Sequence, residues 1–384
     1  MVKVVRDYTG VRRDGRRALH VAESAASDLG SVPVPEQVLG APSAPQAPPP
    51  ASAVDVSLAG PFDLMRARRL DSICWLNQPE HSLNRAPALA SPLGAVARWS
   101  DSRPVVLIGQ EASQLAGYAE FHPILPDLRW QLVALGATAD RTDPLTVWIP
   151  ILEHGTRAAG EAGVKRLYAR APDLTQIGDG LRAAGYSAYA NEVIFVAENP
   201  VARTAGIDVR EQERADTWAV HQLYNSSVPK EVLYAEAFTS HRWELLNGRK
   251  LFSKTARAWI TEKNQTPVAY ARCTSLQRRH VLDVMSDPGH LDEMAALIDE
   301  VLLRIKRDGP LSKIYCTVRG YEMDLERVLL ERNFRPCFSQ DLFVRYTTAP
   351  LRVMTAEIVF SDAEAGERAR RRVPVYLSSA ERND

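Results

Sequence analysis

The chain contains one sequence pattern twice, in two stretches about 150 residues apart. The matched aromatic positions are, in chain order, Tyr118 with Tyr270, Tyr168 with Tyr315, Tyr186 with Phe334, and Phe195 with Phe343. Their separations stay between about 147 and 152 residues, so both the order and the spacing are kept. Because the units of solenoid proteins span roughly 20–50 residues, a repeat of this length indicates a whole domain present in two copies.

Composition restricts the classes of protein that the chain can belong to. Its 384 residues suffice for two domains with tails, and its 45% hydrophobic and 24% charged residues are typical of a globular protein. Lys and Arg number 47, as do Asp and Glu, so we expect no nucleic-acid binding through a general basic field. We also expect no membrane span and no signal peptide, because no apolar run approaches 18 residues.

The four cysteines, Cys74, Cys273, Cys316 and Cys337, are scattered without a CxxC pair. This spacing favours reduced thiols in a cytoplasmic protein over a disulfide framework or a zinc site. No histidine spacing indicates a metal site, so no metal is predicted.

The two copies are flanked by segments of a different character. Residues 1–54 are predicted to be a disordered tail, basic at first and then rich in Pro and Ala. An arginine cluster at 12–17 fits either a solvated tail or an arm for an anionic partner. The predicted domains are an N-terminal half, 55–200, and a C-terminal half, 201–349, followed by a charged extension, 350–384.

Apolar periodicity predicts nearly the same order of elements in both halves. For the C-terminal half it predicts a strand at 207–210, helices at 214–226 and 231–246, strands at 256–261, 268–275 and 280–285, a helix from 291 that ends before Gly309, a strand at 313–318, a helix at 322–332, and strands at 334–338 and 341–346. For the N-terminal half it predicts a strand at 54–58, a helix at 62–75, strands at 105–109, 115–122 and 129–135, a helix at 144–162, a strand at 164–170, a helix at 174–184, and strands at 186–188 and 192–196.

This order of elements resembles the GNAT acyltransferase superfamily, in tandem. The segments at 181–186 and 329–334 lie where GNAT proteins have a leucine-tyrosine-x-x-x-glycine-phenylalanine segment. The resemblance implies an α/β (α+β) fold with two tandem GNAT-like domains, each a mixed, mostly antiparallel sheet flanked by helices. It also implies an internal pseudo-dimer, in a protein that is a monomer or a homodimer.

The resemblance further implies that acetyl-CoA binds where the fourth strand of a unit enters its long helix. Free backbone N–H groups at that helix N-terminus bind the pyrophosphate. In the N-terminal half, Asp143 and Pro144 are predicted to begin the helix, so that a carboxylate takes these N–H groups. The C-terminal half retains one glycine of the loop. Its candidate acetyl-CoA residues are Met285, Ser286, Gly289, His290 and Leu291.

The catalytic positions also differ from the family pattern. Many GNAT enzymes protonate the leaving thiolate with a tyrosine of the last helix, and the matching residues here are Leu181 and Leu329. The remaining candidates are Asp283 and Glu120 as general bases and Tyr321 as an acid. Each of the two carboxylates can also be interpreted as a solvated or salt-bridged strand residue without a catalytic role. The counterpart of Glu120 in the repeat is Arg272, so the two halves differ at this position.

Two functions remain open at this stage. The first is N-acyl transfer, with acetyl-CoA as donor and a small-molecule or protein amine as acceptor, in the C-terminal half. The alternative is a catalytically inactive GNAT-fold protein that binds a ligand or serves as a scaffold.

Overall fold

The computed structural model describes residues 54–67, 70, 72–77, 79, 104–124, 129–138, 142–173, 175–203, 206–245, 255–276, 279–309 and 313–348. The predicted tails, apart from Val54, therefore lie outside the described residues. None of the described helices is long and apolar enough to cross a membrane.

The described residues of each half form strands and helices in an order close to the predicted one. The N-terminal half contains β1 (Asp55–Leu58), α1 (Pro61–Ala67), β2 (Ser72–Trp75), β3 (Val105–Glu111), β4 (Gln114–Ile124), β5 (Arg129–Ala137), α2 (Leu145–Glu161), β6 (Arg166–Pro172), α3 (Gln176–Ala183) and β7 (Ser187–Ala197). The C-terminal half contains β8 (Arg210–Glu211), α4 (Thr217–Ser227), α5 (Lys230–Glu236), β9 (Thr255–Lys263), β10 (Thr266–Leu276), β11 (Arg279–Ser286), α6 (Leu291–Asp308), β12 (Lys313–Arg319), α7 (Asp324–Leu330) and β13 (Arg335–Tyr346). Short 3₁₀ helices at Arg214–Asp216 and Ser240–Trp243 complete the C-terminal half.

All thirteen strands belong to one mixed sheet. Its order is β1-β3-β4-β5-β6-β13-β7-β12-β11-β10-β9-β8, and β2 pairs with β5 off this path. Neighbouring strands are antiparallel except at two places, β5 with β6 and β11 with β12. The parallel pairs occupy equivalent positions in the two halves, since each is connected through the long helix of its half.

The final strands of the two halves are exchanged. β13 of the C-terminal half pairs with β6 of the N-terminal half, and β7 of the N-terminal half pairs with β12 of the C-terminal half. β7 and β13 also pair with each other, antiparallel, from Arg335↔Val196 to Val344↔Ser187. The two halves therefore share their central hydrogen bonds, although each keeps its own core.

Each core lies between the sheet and the long helix of its half. α2 packs on β3, β4 and β5, and Val147, Ile151 and Leu152 are fully buried there. α6 packs on β9, β10 and β11, with Met294, Ile298, Val301 and Leu302 fully buried at the predicted 3/4 spacing. The prediction of a long helix in each half is confirmed.

Two predicted helices are wrong in their second parts. The helix predicted at 231–246 ends at Glu236, and Ser240–Trp243 is a separate 3₁₀ helix. The helix predicted at 62–75 ends at Ala67, and Ser72–Trp75 is instead the strand β2. This stretch pairs antiparallel with β5, from Ser72↔Ala137 to Trp75↔Ala134. The reason is long-range pairing of β-branched and aromatic residues, which local periodicity does not reveal.

Candidate functional site

A wedge-shaped opening forms in each half where the parallel strands diverge. β11 and β12 are paired from Arg279↔Lys313 to Leu282↔Cys316 and are not paired beyond that point. β5 and β6 are paired only from Arg129↔Arg166 to Gln131↔Tyr168. Beyond these pairs each strand runs on toward the start of the following helix, so the two halves have equivalent openings.

In the N-terminal half the chain itself occupies the opening. β2 pairs with the edge of β5 that the divergence from β6 leaves free. The pairing continues past the strand, because the N–H of Leu76 donates to the carbonyl of Val133 over 2.9 Å. Leu76 is buried. This edge of β5 is thus saturated by backbone hydrogen bonds from residues of the same chain.

Asn77 ties the two diverging strands together. Its backbone N–H donates to the carbonyl of Arg170 on β6 over 3.2 Å, and its Oδ1 accepts from the N–H of Arg170 over 3.1 Å. Its Nδ2 donates to the carbonyl of Leu132 on β5, and Gln131 donates to its Oδ1, both over 2.5 Å. With φ of 59° the residue is in the left-handed region, which Asn tolerates better than most residues. Asn77 therefore closes the tip of the N-terminal opening.

The helix N-terminus of this half is also occupied. The carboxylate Oδ1 of Asp143 accepts a hydrogen bond from the N–H of Leu145 over 3.0 Å, and Pro144 has no N–H to offer. Asp143 thus occupies one of these helix amides, that of Leu145, whereas the predicted N-cap position of Asp143 is wrong, since Pro144 is the N-cap and the helix begins at Leu145.

The opening of the C-terminal half also borders a cavity, and no described strand pairs with the strand edge beside it. The cavity has a volume of about 100 Å³ and is bordered by Asp283, Val284 and Met285 of β11 and by Thr317 and Arg319 of β12. Within the described part of the chain, no strand pairs with the β12-facing edge of β11 beyond Leu282. A free strand edge is suited to an extended ligand that hydrogen-bonds to the backbone.

The loop after β11 leaves the N-terminus of α6 without a side-chain cap. His290 is the N-cap residue and makes no capping bond, and the N–H groups of Leu291 and Asp292 have no acceptor among the described residues. The N–H of Gly289 donates to Oδ1 of Asp287 over 3.1 Å. An added Cβ at Gly289 would meet only that carboxylate oxygen, at 3.6 Å, so the loop is open there.

Acidic residues of this helix terminus are partly neutralised. Lys263 forms an ion pair with Glu293 in the first turn of α6. The hydrogen bond from Lys263 lowers the pKa of Glu293. His290 lies 3.5 Å from Asp287 through its Nδ1. The helix terminus is thus suited to an anion through its amides, with Asp292 opposing it.

The predicted base Asp283 lies at the cavity as an ion-paired group. Its Oδ2 is 2.9 Å from Nη2 of Arg272, the neighbouring residue on β10. Burial acts to raise the pKa of Asp283, but the positive charges of Arg272 and Arg242 outweigh it and hold the pKa below its usual range. The carboxylate therefore holds a proton only weakly.

A second carboxyl group at the same cavity was not predicted. Glu322 lines the cavity beside Tyr321, just after β12. Burial raises the pKa of Glu322 to about 7, although the positive charge of Arg319 acts in the opposite direction. Its position past the carboxyl end of a parallel strand was a usable signal. The predicted acid Tyr321 lines this cavity too, and burial raises the pKa of its phenol, so the hydroxyl keeps its proton.

The wall between the two halves is a buried network of charged residues. Arg319 lies 3.0 Å from Glu192 of β7 and 3.1 Å from Glu236 of α5. Tyr224 donates to Glu236 over 2.7 Å. Buried ionised groups persist only when paired in this way. The network fixes the exchanged strand β7 against the C-terminal cavity.

The third catalytic candidate, Glu120, lies in the other half. It is fully buried on β4, accepts a hydrogen bond from the Tyr118 hydroxyl, and is 2.6 Å from Nε2 of His122. Burial and then the Glu120 charge raise the pKa of Tyr118. His122 lines a second cavity, of about 410 Å³, that also contacts Asn77. Glu120 thus reaches that cavity through His122.

The structure brings Asp283, Met285 and Tyr321 together at one cavity. Ser286 ends β11, and Gly289, His290 and Leu291 follow in the loop and first turn of α6. The residues in place of the family tyrosine, Leu181 and Leu329, are fully buried in the two cores. Among the residues that the structure describes, no group of three or more His, Cys, Asp or Glu is arranged to hold a metal ion.

No protein-family model matches the sequence, and no curated protein matches it. Among solved structures, a GCN5-related N-acetyltransferase from Sphaerobacter thermophilus is 12% identical with a TM-score of 0.48, and the match covers 77% of this chain and 96% of that one. A tandem GNAT protein from the clavulanic acid biosynthesis pathway is 11% identical with a TM-score of 0.43, over 77% of this chain and 99% of that one. A GCN5-related N-acetyltransferase from Kribbella flavida is 14% identical with a TM-score of 0.44, and the match covers 69% of this chain and 95% of that one.

Proposed function

We propose that this protein transfers an acyl group, acetyl in the simplest case, from acyl-CoA to a primary amine in the C-terminal half. One observation carries the proposal: β2 and Asn77 pair with the edge of β5 that the divergence leaves free, whereas the equivalent edge of β11 is unpaired among the described residues and borders a cavity containing a carboxyl group with a pKa of about 7. A carboxyl group with a pKa near the working pH is suited to general base catalysis.

The residues around the C-terminal opening fit acyl-CoA. The edge of β11 at Met285 and Ser286 offers backbone groups to the extended arm of the donor, and the amides near Gly289, His290 and Leu291 offer donors to its pyrophosphate. Gly289 leaves this loop uncrowded, since an added Cβ would meet only Oδ1 of Asp287, at 3.6 Å. When bound, acyl-CoA supplies a thioester carbonyl that an amine can attack.

Two side chains of the cavity are suited to move the protons of this reaction. Oε of Glu322 accepts a proton from the acceptor ammonium group, which frees the nitrogen lone pair. Oη of Tyr321 donates a proton to the sulfur as the carbon–sulfur bond breaks, and it takes a proton back from the nitrogen as the amide forms; burial raises its pKa, so that it is protonated at the start. Asp283 holds Arg272 in place and is a weaker base than Glu322, since its pKa is lowered.

Calorimetric titration with acetyl-CoA tests the proposal, together with release of free thiol in the presence of an amine. We expect binding to the wild-type protein and to Asp143→Ala. We expect at least a tenfold weaker affinity in Gly289→Trp, because the bulky side chain covers the loop amides. The absence of binding to the wild type at high micromolar acetyl-CoA, or unchanged binding in Gly289→Trp, would overturn the proposal.

A second function has its own support. Leucine replaces the family tyrosine in both halves, at Leu181 and Leu329, and one of the two openings is filled. These features fit a catalytically inactive GNAT-fold protein that binds a ligand or serves as a scaffold. Binding of acetyl-CoA without thiol release across a broad panel of amines would favour this alternative. A cytoplasmic location, the amine acceptor and the oligomeric state remain predictions.

A further inference from the structure

The two cavities share one wall. Four residues line both of them, namely Arg170, Glu236, Phe238 and Arg242. The larger cavity, of about 410 Å³, lies within the size range of small-molecule sites, roughly 300–1,000 Å³. The smaller one holds Glu322 and Tyr321. A molecule in the larger cavity can thus extend a group to this wall, next to the proposed catalytic residues.

Arg242 at this wall forms no ion pair with any described residue. Its guanidinium lies over the ring of Phe238, 5.3 Å from the centroid, and the charge of Asp283 acts to raise its pKa without an ion pair between the two. Two other arginines of the smaller cavity differ in this respect. Arg272 pairs with Asp283, and Arg319 pairs with Glu192, within 3.0 Å in each case. A half-buried guanidinium without an ion pair is an uncommon arrangement, because charge burial normally requires pairing.

Two further donor groups of the smaller cavity also lack partners. The hydroxyl of Tyr270, a residue that is 1% exposed, makes no hydrogen bond with any residue that the structure describes, and neither does Nη1 of Arg319. Buried polar atoms without a partner are rare in native proteins, and an unfilled ligand position is one physical reason for them. These groups and Arg242 all suit an oxygen-rich, negatively charged group.

Arg242 keeps its positive charge at this wall. The positive charge of Arg272, and then burial, lower the pKa of Arg242 to about 10, which is still well above neutral pH. A carboxylate would supply the ion pair that no described residue makes with this guanidinium.

We infer that Arg242, with the Tyr270 hydroxyl, binds a carboxylate of the acceptor, so that the acceptor is an amine that also carries a carboxylate. Guanidinium and carboxylate groups match through two parallel hydrogen bonds, which gives such a site directional specificity. An amino acid or a compound with an amino-acid end has both groups. This inference rests on the proposed acyl transfer, because it specifies the acceptor of that reaction.

The test uses matched pairs of amines that differ only in the carboxylate: L-alanine with ethylamine, and L-phenylalanine with phenethylamine. With acetyl-CoA, we expect kcat/KM for thiol release to be at least tenfold higher for the carboxylated member of a pair. Arg242→Gln is expected to abolish that preference without changing the affinity for acetyl-CoA. Arg307→Gln, an exposed change on α6 that lines neither cavity, is the control and should keep the preference.

A binding measurement supplies a readout that does not depend on activity. N-acetyl-L-phenylalanine is expected to bind the full chain at least tenfold more tightly than N-acetylphenethylamine, as measured by calorimetry. Tyr270→Phe removes a hydroxyl without a partner, so we expect the fold to keep its stability and N-acetyl-L-phenylalanine to bind more weakly. This variant keeps the test valid if Arg242→Gln does not fold.

The outcomes separate the two proposals. If acetyl-CoA does not bind, the proposed function fails. If acetyl-CoA binds but neither carboxylated probe is preferred, or if Arg242→Gln keeps the preference, the carboxylate site is wrong while acyl transfer stands.

Discussion

Glu322 is the residue whose ionisation matters most to the proposed chemistry. It is half-buried at the C-terminal cavity, and burial raises its pKa to about 7 from an ordinary 4.5. A base must be deprotonated to act, so we expect kcat/KM to rise with pH through about 7. Glu322→Gln should lower the rate of thiol release about 100-fold or more and remove this dependence.

A pH–rate profile of both proteins, with acetyl-CoA affinity measured beside it, checks this expectation. Affinity for acetyl-CoA should stay within about twofold, because the amide keeps the shape of the carboxyl group. Asp283→Asn provides a comparison at the same cavity. If that change, and not Glu322→Gln, removes the pH dependence, the general base is Asp283.

The same raised pKa predicts a change in stability with pH. The folded protein holds the Glu322 proton between pH 4.5 and about 7, whereas the unfolded chain releases it, so stability falls as pH rises through that window. Glu322→Gln lacks this loss and should be more stable than the wild type at pH 8 by up to about 3 kcal/mol. Urea unfolding at pH 4 and pH 8 measures the difference in the free energy of unfolding between the variant and the wild type. An equal difference at both pH values would contradict the raised pKa of Glu322.

At the scale of elements, β2 and Asn77 occupy the edge of β5 whose counterpart on β11 is the proposed site of the acyl donor. The side chain of Asn77 makes three hydrogen bonds that connect β5 and β6, and its backbone is in the left-handed region. Asn77→Ala removes these bonds and adds backbone strain, so we expect a loss of about 2–4 kcal/mol in the free energy of unfolding. Asn77→Gly removes the bonds without the strain and should cost less.

Denaturant unfolding of both variants checks the order of their stabilities. The number of acetyl-CoA molecules bound should stay at one per chain, because Asp143 still occupies the amide of Leu145. A second molecule bound by either variant would show that Asn77 alone closes the N-terminal half.

The sequence predicted the elements with strong local signals and missed those that depend on distant partners. The amphipathic helix α6 and the strands β9 to β12 follow from periodicity. Ser72–Trp75 was assigned to a helix because its partner β5 is more than 50 residues away in sequence. The helix predicted at 231–246 ends at Glu236, where Ala237 adopts a φ of 42° and Glu236 joins the buried network.

Only part of the candidate site was predicted, because the rest of it also depends on residues that are distant in sequence. Asp283, Met285 and Tyr321 were found from their places in the repeat, and they do meet at one cavity. Glu322 and Arg242 were not found, because their properties arise from burial and from neighbours on other elements. No local spacing encodes such an environment.

At the scale of the whole molecule, strand exchange makes the two halves interdependent. β7 and β13 each complete the sheet of the other half, so a cut at residue 200 removes one strand from each sheet. The repeat predicted two copies of one fold, and it did not reveal this exchange. Halves with exchanged final strands and halves without exchange have the same sequence pattern.

We therefore expect the full chain to unfold in one transition, with equal calorimetric and van't Hoff enthalpies. Residues 1–200 and 201–384 produced separately should be unfolded or aggregated, and should recover structure when produced together. Two separate thermal transitions in the full chain, or a stable isolated half, would contradict the interdependence.

The central claim is that acyl-CoA binds in the C-terminal half alone. Hydrogen–deuterium exchange of the full chain with and without acetyl-CoA tests it most directly, since it locates the bound donor on the sequence. With acetyl-CoA bound, we expect slower exchange at the end of β11 and the start of α6, residues 283–293. We expect unchanged exchange at the equivalent residues 132–147 of the N-terminal half. Protection at 132–147, or no protection in either segment at saturating acetyl-CoA, would contradict it.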